Sequence, residues 1–166
     1  MAKHFLNSNK DDLDFVLIGL MSPENQYSIV SSVNAALGTE FILSDHIPFN
    51  LKDGKLFYFS LYRYVSEEFG LEYFLIPNNS NFDAPLDSGQ SDRKGGGEDL
   101  FAEFNVEESI KLIKELPKTD YFIILKGEDL HLFQFKIIEQ LKTIQDILQI
   151  QSIEPRDLPS KMNLVF

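Results

Sequence analysis

Cysteine and tryptophan are both absent from the 166-residue chain. Without cysteine there is no disulfide, no thiol nucleophile, no redox switch and no cysteine-ligated zinc. Bases are scarce as well. Fifteen Lys and Arg stand against 26 Asp and Glu, for a formal charge of -11 and a pI near 4.6. The excess is spread over both halves of the chain, so there is no acidic tail. Such a field repels polyanions, and no nucleic-acid partner is expected, because that affinity rests on Lys and Arg neutralising phosphates. Anionic membrane surfaces are disfavoured on the same ground. Long apolar runs are also lacking. The longest, Phe15 to Met21, falls far short of the roughly 20 residues a membrane helix needs. The polar opening, residues 1–12, has no signal-peptide apolar region before Asp11-Asp12. The expected compartment is the cytoplasm, with no membrane partner.

What is present describes an ordinary globular chain. Hydrophobic residues make up 43% and charged residues 25%, and this length suits one domain. A chain of this size buries about 70% of its unfolded surface, so it holds a core without disulfide or metal. Residues 1–12 read as a flexible arm. Leu13 to Ser22 reads as a strand buried on both faces. Ser22-Pro23-Glu24 then has the form of a helix start, with an N-cap serine and proline in the first turn. Ile29, Val30, Val33, Ala36 and Leu37 recur at helical spacing, and Gly38 closes the helix as a left-handed cap. Phe41 to Leu51 suggests a short strand broken near Pro48.

Leu56 to Val65 and Leu71 to Pro77 are the clearest strands and predict an antiparallel hairpin. The stretch 78–104, rich in Ser, Asn, Asp and Gly, reads as a mobile loop. Asn105-Val106-Glu107-Glu108 has the form of a capping box. It predicts a helix with Val106, Ile110, Ile113 and Leu116 on one face, stopped by Pro117. Thr119 to Lys126 follows as a strand, Asp129 to Lys142 as a helix and Ile147 to Ile153 as a strand with one wet face. The expected class is α+β. Its βαββαβ core is ferredoxin-like, with helices on one face of the sheet and a C-terminal αβ extension.

The segment Ile113-Lys114-Glu115-Leu116-Pro117-Lys118-Thr119-Asp120-Tyr121 resembles the signature of the IPExxxVDY family, small bacterial proteins of Bacteroidetes type. Ile113, Glu115, Asp120 and Tyr121 match at the family's spacing, while Lys114 replaces its proline and Thr119 its valine. Further likeness lies in Leu13 to Gly19, Phe59 to Tyr62 and Lys161 to Phe166. The resemblance implies a small cytoplasmic protein and attaches no activity. Read physically, the signature is a helix-to-strand junction, in which Glu115 and Asp120 cap or pair locally and Tyr121 enters the sheet.

Motifs that carry chemistry fail on context. Gly95-Gly96-Gly97 is followed by Glu98 and Asp99 in place of Lys-Ser/Thr, so it is a linker and not a phosphate loop. His4, His46 and His131 share no ligand spacing. The carboxylate clusters Asp11-Asp12-Asp14, Glu67-Glu68, Glu98-Asp99-Glu103 and Glu107-Glu108 lack an EF-hand register and read as solvated charge. A carboxylate pair assembled by the fold stays open as an acid-base device. Ser88 and Ser91 lie in the loop without a nucleophile elbow. No metal, cofactor or catalytic residue is therefore assigned. Lys55, Phe57, Phe59 and Tyr62 match four positions of an RNA-binding strand signature, but the small residues between them are missing and the charge is wrong for RNA.

Tyr58, Tyr62 and Tyr64 alternate with Phe57, Phe59 and Leu61. If helices cover the phenylalanine face, the tyrosines form an open patch, the mark of a partner surface. Two functions follow. The first is a non-catalytic module acting through protein contact or as a homodimer, by its open sheet or strand edge. The second is a small-ligand domain or minor enzyme, with a pocket between sheet and helices under loop 78–104 acting as a lid.

Overall fold

The computed structural model of the chain describes residues 14–51, 54–80 and 109–166. Strand β1 spans Val16–Met21, helix α1 Gln26–Leu37, and strands β2, β3 and β4 span Ile42–Asn50, Leu56–Ser66 and Leu71–Pro77. Strand β5 (Tyr121–Lys126), helix α2 (Leu130–Leu141) and strand β6 (Gln149–Ile153) follow. Two single turns of 3-10 helix, Pro155–Asp157 and Lys161–Leu164, end the chain. The architecture is α+β: one six-stranded sheet in the order β2-β3-β4-β5-β1-β6, with every adjacent pair antiparallel. The β3–β4 hairpin forms as its aromatic and branched residues predict.

The sheet carries apolar side chains on both faces. Ile18, Leu20, Tyr62, Leu75, Ile123 and Leu125 face one side, where Ile29, Val30 and Val33 of α1 and Ile137 and Leu141 of α2 cover them. Leu17, Phe59, Leu61, Phe74, Phe122 and Ile124 face the other, covered by Leu112, Ile113, Leu158 and Leu164 from non-helical chain. Both helices therefore lie on one face, and the opposite face is covered too. This two-sided burial explains the continuous apolar runs of β1 and β5.

Three expectations are corrected. Helix α1 begins after Asn25, not at Ser22, because Asn25 Oδ1 accepts the N–H groups of Tyr27 and Ser28, both at 3.0 Å. Its other end is as predicted, with Gly38 in the left-handed region at φ 66°. Strand β2 runs through Pro48 without a break, since it is an edge strand where a missing N–H costs no ladder bond. Most consequentially, residues 109–117 hold no helix; residues 105–108, the proposed capping box, lie outside the described residues. Ile113 N–H bonds to Asn78 Oδ1 (2.8 Å), and Asn78 Nδ2 donates to the carbonyls of Leu116 (3.0 Å) and Thr119 (2.8 Å). Backbone groups taken by Asn78 cannot also form an α-helical ladder. The helix between β4 and β5 in the expected core therefore does not exist over 109–117, and α2 supplies the second helix.

Candidate functional site

The chain leaves β1 through a turn that Asp120 fastens to the start of β5. Asp120 N–H donates to Leu20 C=O (2.8 Å), and its Oδ2 accepts the N–H of buried Ser22 (2.9 Å). Ser22 Oγ in turn accepts Glu24 N–H (3.2 Å), turning the chain toward α1. From the opposite strand, Tyr121 donates its hydroxyl proton to Glu24 C=O. These bonds frame an open hollow of about 430 Å³. Its walls are residues 22–27, Pro77 and Asn79 beyond β4, and Asp120 with Tyr121.

The wall contains two carboxylates, Glu24 and Asp120, and no Lys, Arg or His. Tyr121 has its pKa pushed up to about 12, first by burial and then by the charge of Asp120, with smaller effects from Tyr62 and Glu24. Its hydroxyl thus stays protonated at neutral pH and keeps its bond to Glu24. Behind the wall, Tyr62 is only 4% exposed. Burial, and then proximity to Tyr27, raises its pKa. Its hydroxyl has no hydrogen-bond partner, and neither does the buried Oε1 of Gln26. They are the only two buried side-chain polar atoms without a partner among the described residues, and native structures normally pair such groups. A larger hollow of about 580 Å³, between Asp14–Val16 and residues 127–131, has no such atom and is the weaker candidate.

The signature residues separate into two pairs. Asp120 and Tyr121 build the hollow, whereas Ile113 and Glu115 belong to the other face. Ile113 is fully buried there, and Glu115 Oε1 accepts both the N–H and the hydroxyl of Ser160, each at 2.8 Å.

The expected open tyrosine face is corrected. Tyr62 is buried beneath the helices, and Tyr64 packs half-buried on Tyr73 and Phe41, with ring centroids 5.6 and 6.2 Å away. Tyr58 is half-buried. The helices cover the tyrosine side because Ile18, Leu75 and Ile123 share it. Phe57 and Phe59, the aromatics of the RNA-strand pattern, are fully buried. His46 and His131 are exposed and far apart in the fold, on β2 and α2, while His4 lies outside the described residues. Among the described residues no three His, Cys, Asp or Glu side chains converge as metal ligands. Gly95 to Gly97, Ser88, Ser91 and the carboxylates at 11–12, 98–103 and 107–108 also lie outside them, as does loop 78–104 from residue 81 onward. The first residues of that loop are not mobile: Asn78 and Ser80 are buried and bonded to residues 110–120.

Gln26, Ser22 and Asn78 escaped the sequence reading. Ser22-Pro23 looked like a helix start and Asn78 like loop composition, and only the fold brings them to Asp120. No helix among the described residues is long and apolar enough to cross a membrane. No protein-family model, curated protein or solved structure matches the chain.

Proposed function

We propose that this protein is a binding domain for a small polar molecule, seated where Asp120 and Tyr121 meet the β1–α1 turn. The observation that carries this reading is the placement of both unpaired buried polar atoms, Gln26 Oε1 and the Tyr62 hydroxyl, around a single hollow. Buried polar groups without partners are costly unless something fills the gap. The reading is one of binding, not turnover. The described wall offers acceptors and a tyrosine held protonated, with no nucleophile and base in contact. The resemblance to the IPExxxVDY signature fits it, since Asp120 and Tyr121 are two of the four matched residues. The fold proposed to present the site is ferredoxin-like in β1, α1, β4, β5, α2 and β6, with β2–β3 as an added hairpin, supported by the order β4-β5-β1-β6. The cytoplasm is its proposed compartment.

A native mass spectrum of the purified protein incubated with a small-molecule cell extract tests the function. The expected result is one retained small molecule per 19.1 kDa chain, released by Asn79→Trp, which adds bulk at the exposed rim. A bare chain after that incubation overturns the reading.

A second reading, protein contact, is favoured by β2. It is an edge strand with Ile42 66% and Leu43 49% exposed, and such an edge is a template for pairing with another chain. In this reading the partner is a second copy, so Leu43→Lys should turn a dimer into a monomer by sedimentation.

A further inference from the structure

The hollow at the β1–α1 turn carries more information than its size, and the following deepens the binding function proposed above and rests on it. The hydrogen-bonding capacity of its wall is lopsided. Tyr121 has committed its only proton to Glu24 C=O, so its oxygen is left with lone pairs. Asp120 uses Oδ2 for Ser22 N–H, and its Oδ1 accepts nothing among the described residues. Gln26 Oε1 is buried and accepts nothing. Glu24 adds a second carboxylate, and no Lys, Arg or His on the wall balances either charge. The amides of Asn25 and Asn79 are the exposed side-chain donors on the rim. Tyr27, 71% exposed, also offers an aromatic ring, whose face attracts cations. The field of a chain with formal charge -11 raises the local concentration of cations further.

We propose that this hollow binds a small organic cation, a ligand bearing a primary ammonium group, with the ammonium held by Asp120 Oδ1 and Gln26 Oε1 and its charge offset by Asp120 and Glu24. An ammonium has three donors and no acceptor, which is the complement of that set of free acceptors. An anion would meet two carboxylates and no base. A neutral polyol would pair with the acceptors but gain nothing from the charges.

The test compares three probes of similar length: 1,4-diaminobutane, 1,4-butanediol and succinate. Binding is followed through the backbone amide signals of residues 22–27 and 119–121 in the full chain. The diamine should shift these signals saturably, the diol at least tenfold more weakly, and succinate not at all. Added salt should weaken the diamine, since the charges are exposed to screening. Asp120→Asn keeps an acceptor for Ser22 N–H but loses the charge, and should weaken the diamine about tenfold or more. Glu24→Gln gives a second variant outside that hydrogen bond and should weaken it in the same direction. If the diol or succinate shifts the same signals as tightly as the diamine, the cation assignment is overturned and the binding site stands. If no probe shifts them, both fail.

Discussion

The two faces of the sheet are held by different means. On one face, α1 and α2 lay periodic apolar side chains on Ile18, Leu75 and Ile123. On the other, chain without α-helix, residues 109–118 and 154–166, covers Leu17, Phe74 and Phe122. The helices satisfy their own backbone groups, so packing alone is enough to dock them. The irregular cover cannot do so. Its backbone is satisfied by side chains: Asn78 bonds to residues 113, 116 and 119, Glu115 to Ser160, and Asn163 Nδ2 to Leu112 C=O (2.8 Å). One face is fixed by many weak contacts, the other by a few directional ones. A single substitution should therefore do more damage on the irregular face.

The sharpest test removes the hub. Asn78 is fully buried, and Asn78→Ala leaves Ile113 N–H and two carbonyls without partners inside the protein. At about 1–3 kcal/mol for each orphaned group, the loss should reach about 4 kcal/mol. Ile29→Ala, at an equally buried position on α1, should cost about 3 kcal/mol through the cavity it leaves. Urea melts give the two magnitudes, and amide hydrogen exchange distinguishes their character. Asn78→Ala should release protection locally over residues 110–120 while α1 keeps its own. Equal release on both faces would break the contrast and make the molecule one cooperative unit.

That division also sets what the sequence made legible. Period 3.6 in Ile29, Val30, Val33 and Leu37, and in Leu130, Phe133, Ile137 and Leu141, placed both helices to within a few residues. Alternation and aromatic content placed β3 and β4. The same 3.6 spacing in Ile110, Ile113 and Leu116 misled, because local periodicity does not register a competitor for the backbone 35 residues away. Asn78 has no local signature at all: it reads as a turn residue, and only the return of residues 112–120 beside β4 makes it a buried hub. The site follows the same rule. Asp120 and Tyr121 stood out through the family resemblance, but the unpaired atoms of Gln26 and Tyr62 arise only from packing. The tyrosine face was assigned to the wrong side for a related reason. Alternation tells which residues share a face and not which face the helices choose.

Tyr62 sharpens the comparison on the helix side, with a smaller effect. Had it been part of an exposed patch, Tyr62→Ser would leave stability nearly unchanged. Buried in the helix-side core, it should lose about 3 kcal/mol when truncated. Tyr62→Phe removes only the unpaired hydroxyl and should alter stability by less than about 1 kcal/mol, in the stabilising direction. The pair of variants, compared by thermal melting, separates the ring's packing from the cost of its orphaned oxygen. A destabilised Tyr62→Phe would mean that the hydroxyl has a partner in solution, an ordered water or a ligand in the adjoining hollow.

The smallest effects concern pH, and there the two faces respond at opposite ends. On the helix side, burial raises the pKa of Tyr62, Tyr73 and Tyr121, the last from 10.0 to about 12. The unfolded chain then loses these protons before the folded one does. Stability from this source is full below pH 10.0 and is lost as pH rises toward about 12. On the irregular side, slight desolvation pushes the Glu115 pKa up. Hydrogen bonds from its own backbone and from Ser160, with the charge of Lys114, outweigh this and bring it below the ordinary 4.5. The unfolded chain now takes up the proton first, so that stability is present above pH 4.5 and fades as pH falls through the lowered folded value. Glu115 is exposed, which keeps the contribution small. Glu115→Gln should flatten part of the acid limb of the stability–pH curve and leave the alkaline limb alone. Tyr121→Phe should do the reverse. If either variant moved both limbs, the two faces would not be energetically separable, and the difference in how they are held would have no consequence for how they come apart.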